Sequence, residues 1–254
     1  MLATDLALAL DPVLLARRAG FEPDAWQAAL LRSDARQMIL LCSRQSGKSS
    51  VSAFLALHEA LYHSPALVLI LSPTLRQSAE LFRKVKETHA ALGDVVSRAS
   101  EESAQRLEFS NGSRVVCLSG DGAVRGYSGV ALLVVDEGAW VKDALYQSVR
   151  PMLAVSGGRI ILLSTPFGQR GFFHHEWTEG GDDWQRVKIT ADQCPRIPRA
   201  WLERERLRNG DWWHRQEYLC EFVADTDSYF RWEDIDAALV TDALPLPGFE
   251  VIAA

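Results

Sequence analysis

Four short runs, Met38–Cys42, Leu67–Leu71, Leu132–Val135 and Ile160–Leu163, consist almost wholly of Leu, Ile, Val and Met, with no polar alternation. A strand with one wet face alternates apolar and polar residues. Runs without alternation fit strands covered on both faces, as in a parallel sheet between helices. The stretches between them have helical spacing: Ser49–His63, Gln77–Leu92 and, more briefly, Val141–Met152. Arg106–Ser119 reads differently, because Asn111-Gly112 lies between two β-rich segments and predicts an antiparallel hairpin. Strands alternating with helices give a three-layer α/β domain with a mostly parallel central sheet and an inserted antiparallel hairpin.

Composition narrows the class. The chain has 254 residues, 48% hydrophobic and 24% charged, with 27 Lys plus Arg against 33 Asp plus Glu and a net charge of −6. That is globular composition, too apolar for a disordered chain and not basic enough for a nucleic-acid coat protein. Cys42, Cys117, Cys194 and Cys220 form no Cys-x-x-Cys pair, which argues against a zinc ribbon and reads as reduced thiols. The apolar runs have strand length, far short of a membrane span. Trp184–Thr190 fits one more strand, Pro198–Asn209 and Asp211–Glu221 two helices, and the Pro-containing tail from Thr241 a linker.

Chemistry concentrates at the ends of the apolar runs. Cys42-Ser-Arg-Gln-Ser-Gly-Lys-Ser-Ser50 joins a strand to a helix, where backbone N–H groups and the positive helix end can cradle phosphates. Lys48 then reaches the terminal phosphates and the Ser49 hydroxyl joins a Mg²⁺ shell. Cys42 stands where such loops usually carry their first glycine. Leu132-Leu-Val-Val-Asp136-Glu137 ends in two acids. On a neighbouring parallel strand, Asp136 can hold the Mg²⁺ through its water shell and Glu137 can polarise a water as general base; the plainer alternative is that both acids cap the next helix. Ser164 and Thr165, after the fourth run, either sense the terminal phosphate or form a simple turn. Gln27 suits an adenine edge, although taken singly it reads as a surface residue.

These pieces, in this order, resemble the ATPase domain of the large terminase subunit, the motor that packages viral double-stranded DNA. The resemblance rests on Trp26-Gln27, Arg44-Gln-Ser-Gly-Lys-Ser49, Ser72-Pro-Thr74, Arg125-Gly126, Val135-Asp-Glu137 and Ser164-Thr-Pro166, and runs from about residue 20 to 235. It implies a P-loop NTPase fold of the additional-strand, catalytic-glutamate type over residues 1–240, with 184–240 as a helical lid and 241–254 as a linker. Binding of ATP and Mg²⁺ is expected from Gln27, Arg44, Gln45, Ser46, Gly47, Lys48, Ser49 and Ser50, with Asp136 as the Walker B acid. Glu137 matches the catalytic glutamate, and Ser164, Thr165 and Pro166 match the coupling motif. Arg44 matches a P-loop arginine acting within its own subunit, and Arg125 an arginine finger acting on the neighbouring one. Implied partners are double-stranded DNA, the portal protein, the small terminase subunit and further copies in a homo-oligomeric ring, a pentamer by resemblance, in the host cytoplasm. Isolated subunits are expected to be monomeric.

Candidate DNA contacts are Lys84, Lys86, Arg98 and Arg106, each of which also fits a solvated surface. The RNase H type nuclease that such subunits carry would need clustered carboxylates; none follows here, and no nuclease activity is expected of this chain. Two other readings share the motifs: a superfamily 2-like helicase, and a module that binds nucleotide without hydrolysing it.

Overall fold

The computed structural model describes residues 2–120 and 126–223. In chain order the elements are α1 (Leu2–Leu10), α2 (Pro12–Arg18), α3 (Ala25–Leu31), β1 (Gln37–Cys42), α4 (Lys48–Tyr62), β2 (Leu67–Ser72), α5 (Leu75–Leu92), β3 (Ala99–Glu102), β4 (Arg106–Phe109), β5 (Arg114–Ser119), β6 (Val130–Asp136), α6 (Asp143–Val149), β7 (Arg159–Ser164), α7 (Gly171–Thr178), β8 (Trp184–Ile189), α8 (Arg199–Asn209) and α9 (Asp211–Glu217). The four apolar runs are β1, β2, β6 and β7. None has an exposed residue, because helices cover both sheet faces.

Among the described residues one eight-stranded sheet has the order β3-β4-β5-β2-β6-β7-β1-β8. From β5 to β8 every pairing is parallel, and β3 and β4 continue the edge antiparallel. The period-2 geometry of the strands sorts their side chains into two cores. Met38, Leu40, Val68, Ile70, Leu132, Val134, Ile161 and Leu163 pack under α4 and α5. Ile39, Leu41, Leu69, Leu71, Leu133, Val135, Ile160 and Leu162 pack against Tyr146 of α6 and Phe172 and Phe173 of α7.

Two sequence expectations need correcting. The lysine-bearing loop and the acids are not on neighbouring strands, since β7 lies between β1 and β6 and pairs with both. The expected helix Val141–Met152 is regular only over α6. Pro151 has no N–H to donate, and the chain tightens into a 3-10 turn at Arg150–Leu153. The predicted hairpin is β4–β5, and β3 adds a strand of wholly exposed residues that no hydrophobic pattern announces. The expected linker 241–254 and the end of the expected lid lie outside the described residues.

Candidate active site

β1 delivers the chain to a loop at the start of α4. Ser43 N–H donates to Ile189 O at 2.9 Å and Arg44 N–H to Glu217 O at 3.2 Å, so strand β8 and the end of α9 hold the loop from one side. Gln45 (φ 61°) and Gly47 (φ 93°) turn through the left-handed region. A Cβ at residue 47 would lie 2.7 Å from Gln27 Nε2 and 3.2 Å from the Arg196 guanidinium, so only glycine fits there. Cys42 is different. It closes β1 in parallel register with Ile189 and is absent from the positive-φ positions, so a side chain is accommodated where a glycine is usual. Its burial pushes the thiol up to about 12, leaving it an inert packing group.

Lys48 opens α4, buried, with Nζ 2.8 Å from Glu137 Oε1. Burial alone would lower its pKa. The Glu137 carboxylate, with Asp136 behind it, more than reverses that and holds the ammonium above its ordinary value. Asp136 is the last residue of β6, opposite Leu163 of β7. Burial, then the neighbouring Glu137, raise its pKa to about 6, against the pull of Lys48. Glu137 sits in the left-handed region at φ 51°, ψ 44° and makes no capping hydrogen bond. The helix-capping alternative for these acids is therefore not what the fold uses. A bulky side chain held at such a backbone angle is a recurrent mark of a functional turn.

The strand between them brings in the third motif. Ser164 ends β7, buried, and its hydroxyl donates to Glu137 Oε2 at 3.4 Å while accepting from Ala139 N–H at 3.2 Å. Thr165 and Pro166 follow, also buried. Just beyond, Phe167 stacks on Trp140 with ring centroids 3.5 Å apart.

A cavity of about 670 Å³ opens over the loop, lined by Arg44, Gln45, Gly47, Lys48, Ser49 and Ser50 and, opposite them, Gln77, Lys84, Glu137, Trp140 and Arg196. Its size suits a nucleotide. Asp136 Oδ1 is buried with no hydrogen-bond partner, as is Ser46 Oγ. A buried carboxylate oxygen left unpaired beside a phosphate-sized cradle fits Mg²⁺. Ser49 and Asp136 would hold it, the remaining ligands being phosphate and water, as is usual for this ion. Among the described residues no group of three or more His, Cys, Asp or Glu side chains could cage a metal by itself.

The structure departs from the sequence reading at several side chains. Gln27 is not a surface residue. It is fully buried, Oε1 accepting from Asp24 N–H at 2.8 Å and Nε2 donating to Ser46 O at 3.4 Å, so its amide braces the loop. Arg44 is ion-paired with the buried Glu217. Lys84 lines the cavity, whereas Lys86 pairs with Glu102 at 3.1 Å, Arg98 with Asp94 at 2.9 Å and Arg106 with Glu108, all on the α5–hairpin surface. Arg125 lies outside the described residues. Sequence reasoning missed Arg196, which donates to Ser46 O at 2.9 Å and pairs with Asp24 Oδ2 at 2.8 Å. No local signal marks it, since it comes from a loop some 150 residues from its target.

A glycine-turned loop at the head of α4, facing two acids across an intervening strand, defines a P-loop nucleotide-binding α/β domain of the additional-strand type. The family model described as "Terminase large subunit, T4likevirus-type, N-terminal" matches residues 39–237, and the chain belongs to that family. It is 26% identical over 252 residues to the terminase large subunit of Thermus virus P23-45, covering 85% of this chain and 52% of that protein. It thus spans about half the length of the curated relatives it matches. The ATPase domain of the Thermus phage P74-26 large terminase superposes with a TM-score of 0.73 at 24% identity, over 82% of this chain and 97% of that one. The large terminase of another thermophilic bacteriophage, solved in complex with ATP-γ-S, gives a TM-score of 0.62 at 18% identity, over 75% and 48% of the two chains.

Proposed function

We propose that this chain is the ATP-hydrolysing part of a motor that moves viral double-stranded DNA into a procapsid. The observation that carries the reading is the meeting of Lys48 and Glu137 in one cavity at the strand ends, with the unpartnered Asp136 oxygen buried beside them. The N–H groups of residues 45–49 and Lys48 bind the phosphates, Gln27 braces the loop from behind, and Ser49 and Asp136 hold Mg²⁺, which neutralises phosphate charge when bound. Glu137, released from Lys48 as phosphate takes the ammonium, orients and deprotonates the attacking water. Ser164, hydrogen-bonded to Glu137, passes the state of the site to Thr165 and Pro166, which follow it in the chain. Family membership supports the DNA-packaging context, and the ATP-γ-S complex of the thermophilic-phage terminase supports the nucleotide.

The finer assignments belong to the same proposal. Arg125 enters the site of the next subunit in a homo-oligomeric ring, of five copies by resemblance, that meets the portal and the small terminase subunit in the host cytoplasm. Arg44 acts within its own subunit. Arg98, Arg106 and Lys86 touch DNA phosphates. Among the described residues no helix is long and apolar enough to cross a membrane.

The test is phosphate release alongside ATP-γ-S binding. Glu137→Gln is expected to keep nucleotide affinity within a few-fold while turnover falls about 10²–10⁴-fold, the usual worth of a positioned base. Lys48→Ala is expected to lose both. Turnover at background in assembled wild-type rings, or Glu137→Gln turning over as fast as wild type, would sink the hydrolase reading. Arg125→Ala mixed into wild-type rings should depress turnover more than its share of subunits, whereas a merely proportional decline rules out action in trans.

A further inference from the structure

Helix α5 carries Arg76, Arg83, Lys84 and Lys86, of which Arg83 and Lys86 are already neutralised. Arg83 pairs with Glu80 at 2.9 Å and with Glu87, and Lys86 pairs with Glu102 at 3.1 Å. Lys84 is unlike them: among the described residues it makes no ion pair. It is half-buried, and its side of the helix faces the nucleotide cavity together with Gln77, two turns earlier. The other cations lining that cavity are each committed to a carboxylate, Arg44 to Glu217, Lys48 to Glu137 and Arg196 to Asp24. A half-buried ammonium that no carboxylate pairs directly is placed to take an incoming anion.

Position within the cavity says which anion. Arg196 packs beside Gln27 and Gly47, where the loop passes into α4. Lys84 instead acts electrostatically on Asp136, favouring its carboxylate, and lines the cavity together with Glu137, the residue next to Asp136. That is the end at which the water-activating acid stands and the last phosphate of a triphosphate would lie.

We propose that Lys84 is a nucleotide-binding residue that recognises the terminal phosphate of a bound nucleoside triphosphate, and is not a DNA contact. This rests on the P-loop reading of the cavity. A diphosphate lacks the group that Lys84 would meet, so the residue discriminates between the nucleotide states before and after hydrolysis. A triphosphate brings its own anion to the ammonium, and the pairing is charge-assisted.

Displacement of a fluorescent ADP analogue from the full chain, with Mg²⁺, tests this on wild type, Lys84→Met and Lys84→Arg. Methionine keeps the apolar stem and removes the charge. The expected result is an ATP-γ-S affinity about tenfold weaker in Lys84→Met, ADP affinity within about twofold of wild type, and most of the loss recovered in Lys84→Arg. Duplex DNA binding at low salt should be unchanged. Equal ATP-γ-S affinity in Lys84→Met and wild type would overturn the proposal. So would a matching loss for ADP and ATP-γ-S, or a loss confined to DNA binding, which would return Lys84 to the DNA surface. If wild type bound neither nucleotide, the P-loop reading itself would fail and Lys84 with it, an outcome distinct from the others.

Discussion

Asp136 is held where its charge is least welcome. Burial first, and Glu137 second, lift its pKa from an unfolded value near 3.8 to about 6. The folded protein therefore binds the proton more tightly than the unfolded chain does, so this group favours folding at low pH. That contribution fades as pH rises through about 6, and above it the buried anion opposes folding. Asp136→Asn should accordingly raise the melting temperature of the nucleotide-free protein at pH 8, on the order of 2 kcal/mol or several degrees. The gain should shrink as pH is lowered past 6. Scanning calorimetry of both proteins at pH 5 and 8 checks it, and a gain of equal size at both pH values contradicts it. With MgATP-γ-S present the order should reverse, since only the wild type offers the carboxylate. Residue 136 is thus expected to trade stability for ligand binding, a common property of functional sites.

At the scale of elements, β7 joins the two halves of the site. It separates β1 from β6, hydrogen-bonds to both, and ends in the serine that touches Glu137. Helix α5 does similar work on the other flank. Its N-cap Thr74 accepts from Gln77 N–H at 3.3 Å, and Gln77 lines the cavity. Thr74→Ala should cost about 1 kcal/mol through loss of this cap. Denaturant unfolding measures that, with the denaturant slope unchanged if only stability has moved. Most of these elements are legible in the residues alone. The doubly buried strands have no alternation to misread, Asn111-Gly112 marks the hairpin, and α4 and α5 show helical spacing over 15 and 18 residues. α1 to α3, α7 and β3 are not legible, being short or too polar for periodicity to speak. The expectation that β1 and β6 are neighbours fails because strand order is set by crossovers that no local pattern records.

For the whole molecule, the site draws on segments far apart in the chain: Gln27 and Asp24 before the sheet, residues 43–50, α5, the end of β6, the end of β7, Arg196 and Glu217. A ligand that engages all of them binds only the folded state, so ATP-γ-S should stabilise the whole domain in one step. At about 100 times its dissociation constant the gain is about 2.7 kcal/mol. Thermal denaturation with increasing nucleotide should show one transition moving upward in wild type and not in Lys48→Ala. A shift equal in both would place the ligand elsewhere. The sequence by itself determined the sheet-and-helix architecture, the phosphate loop and the acidic strand end, since each is written in contiguous residues whose chemistry acts locally. The tertiary structure alone decided that β7 stands between lysine and acids, that Gln27 is a buried brace, that Lys84 faces the nucleotide cavity, and that Arg196 and Glu217 belong to the site. Those are consequences of which distant side chains meet in a low-dielectric interior, where an unpaired charge is costly enough to choose its partner across the fold.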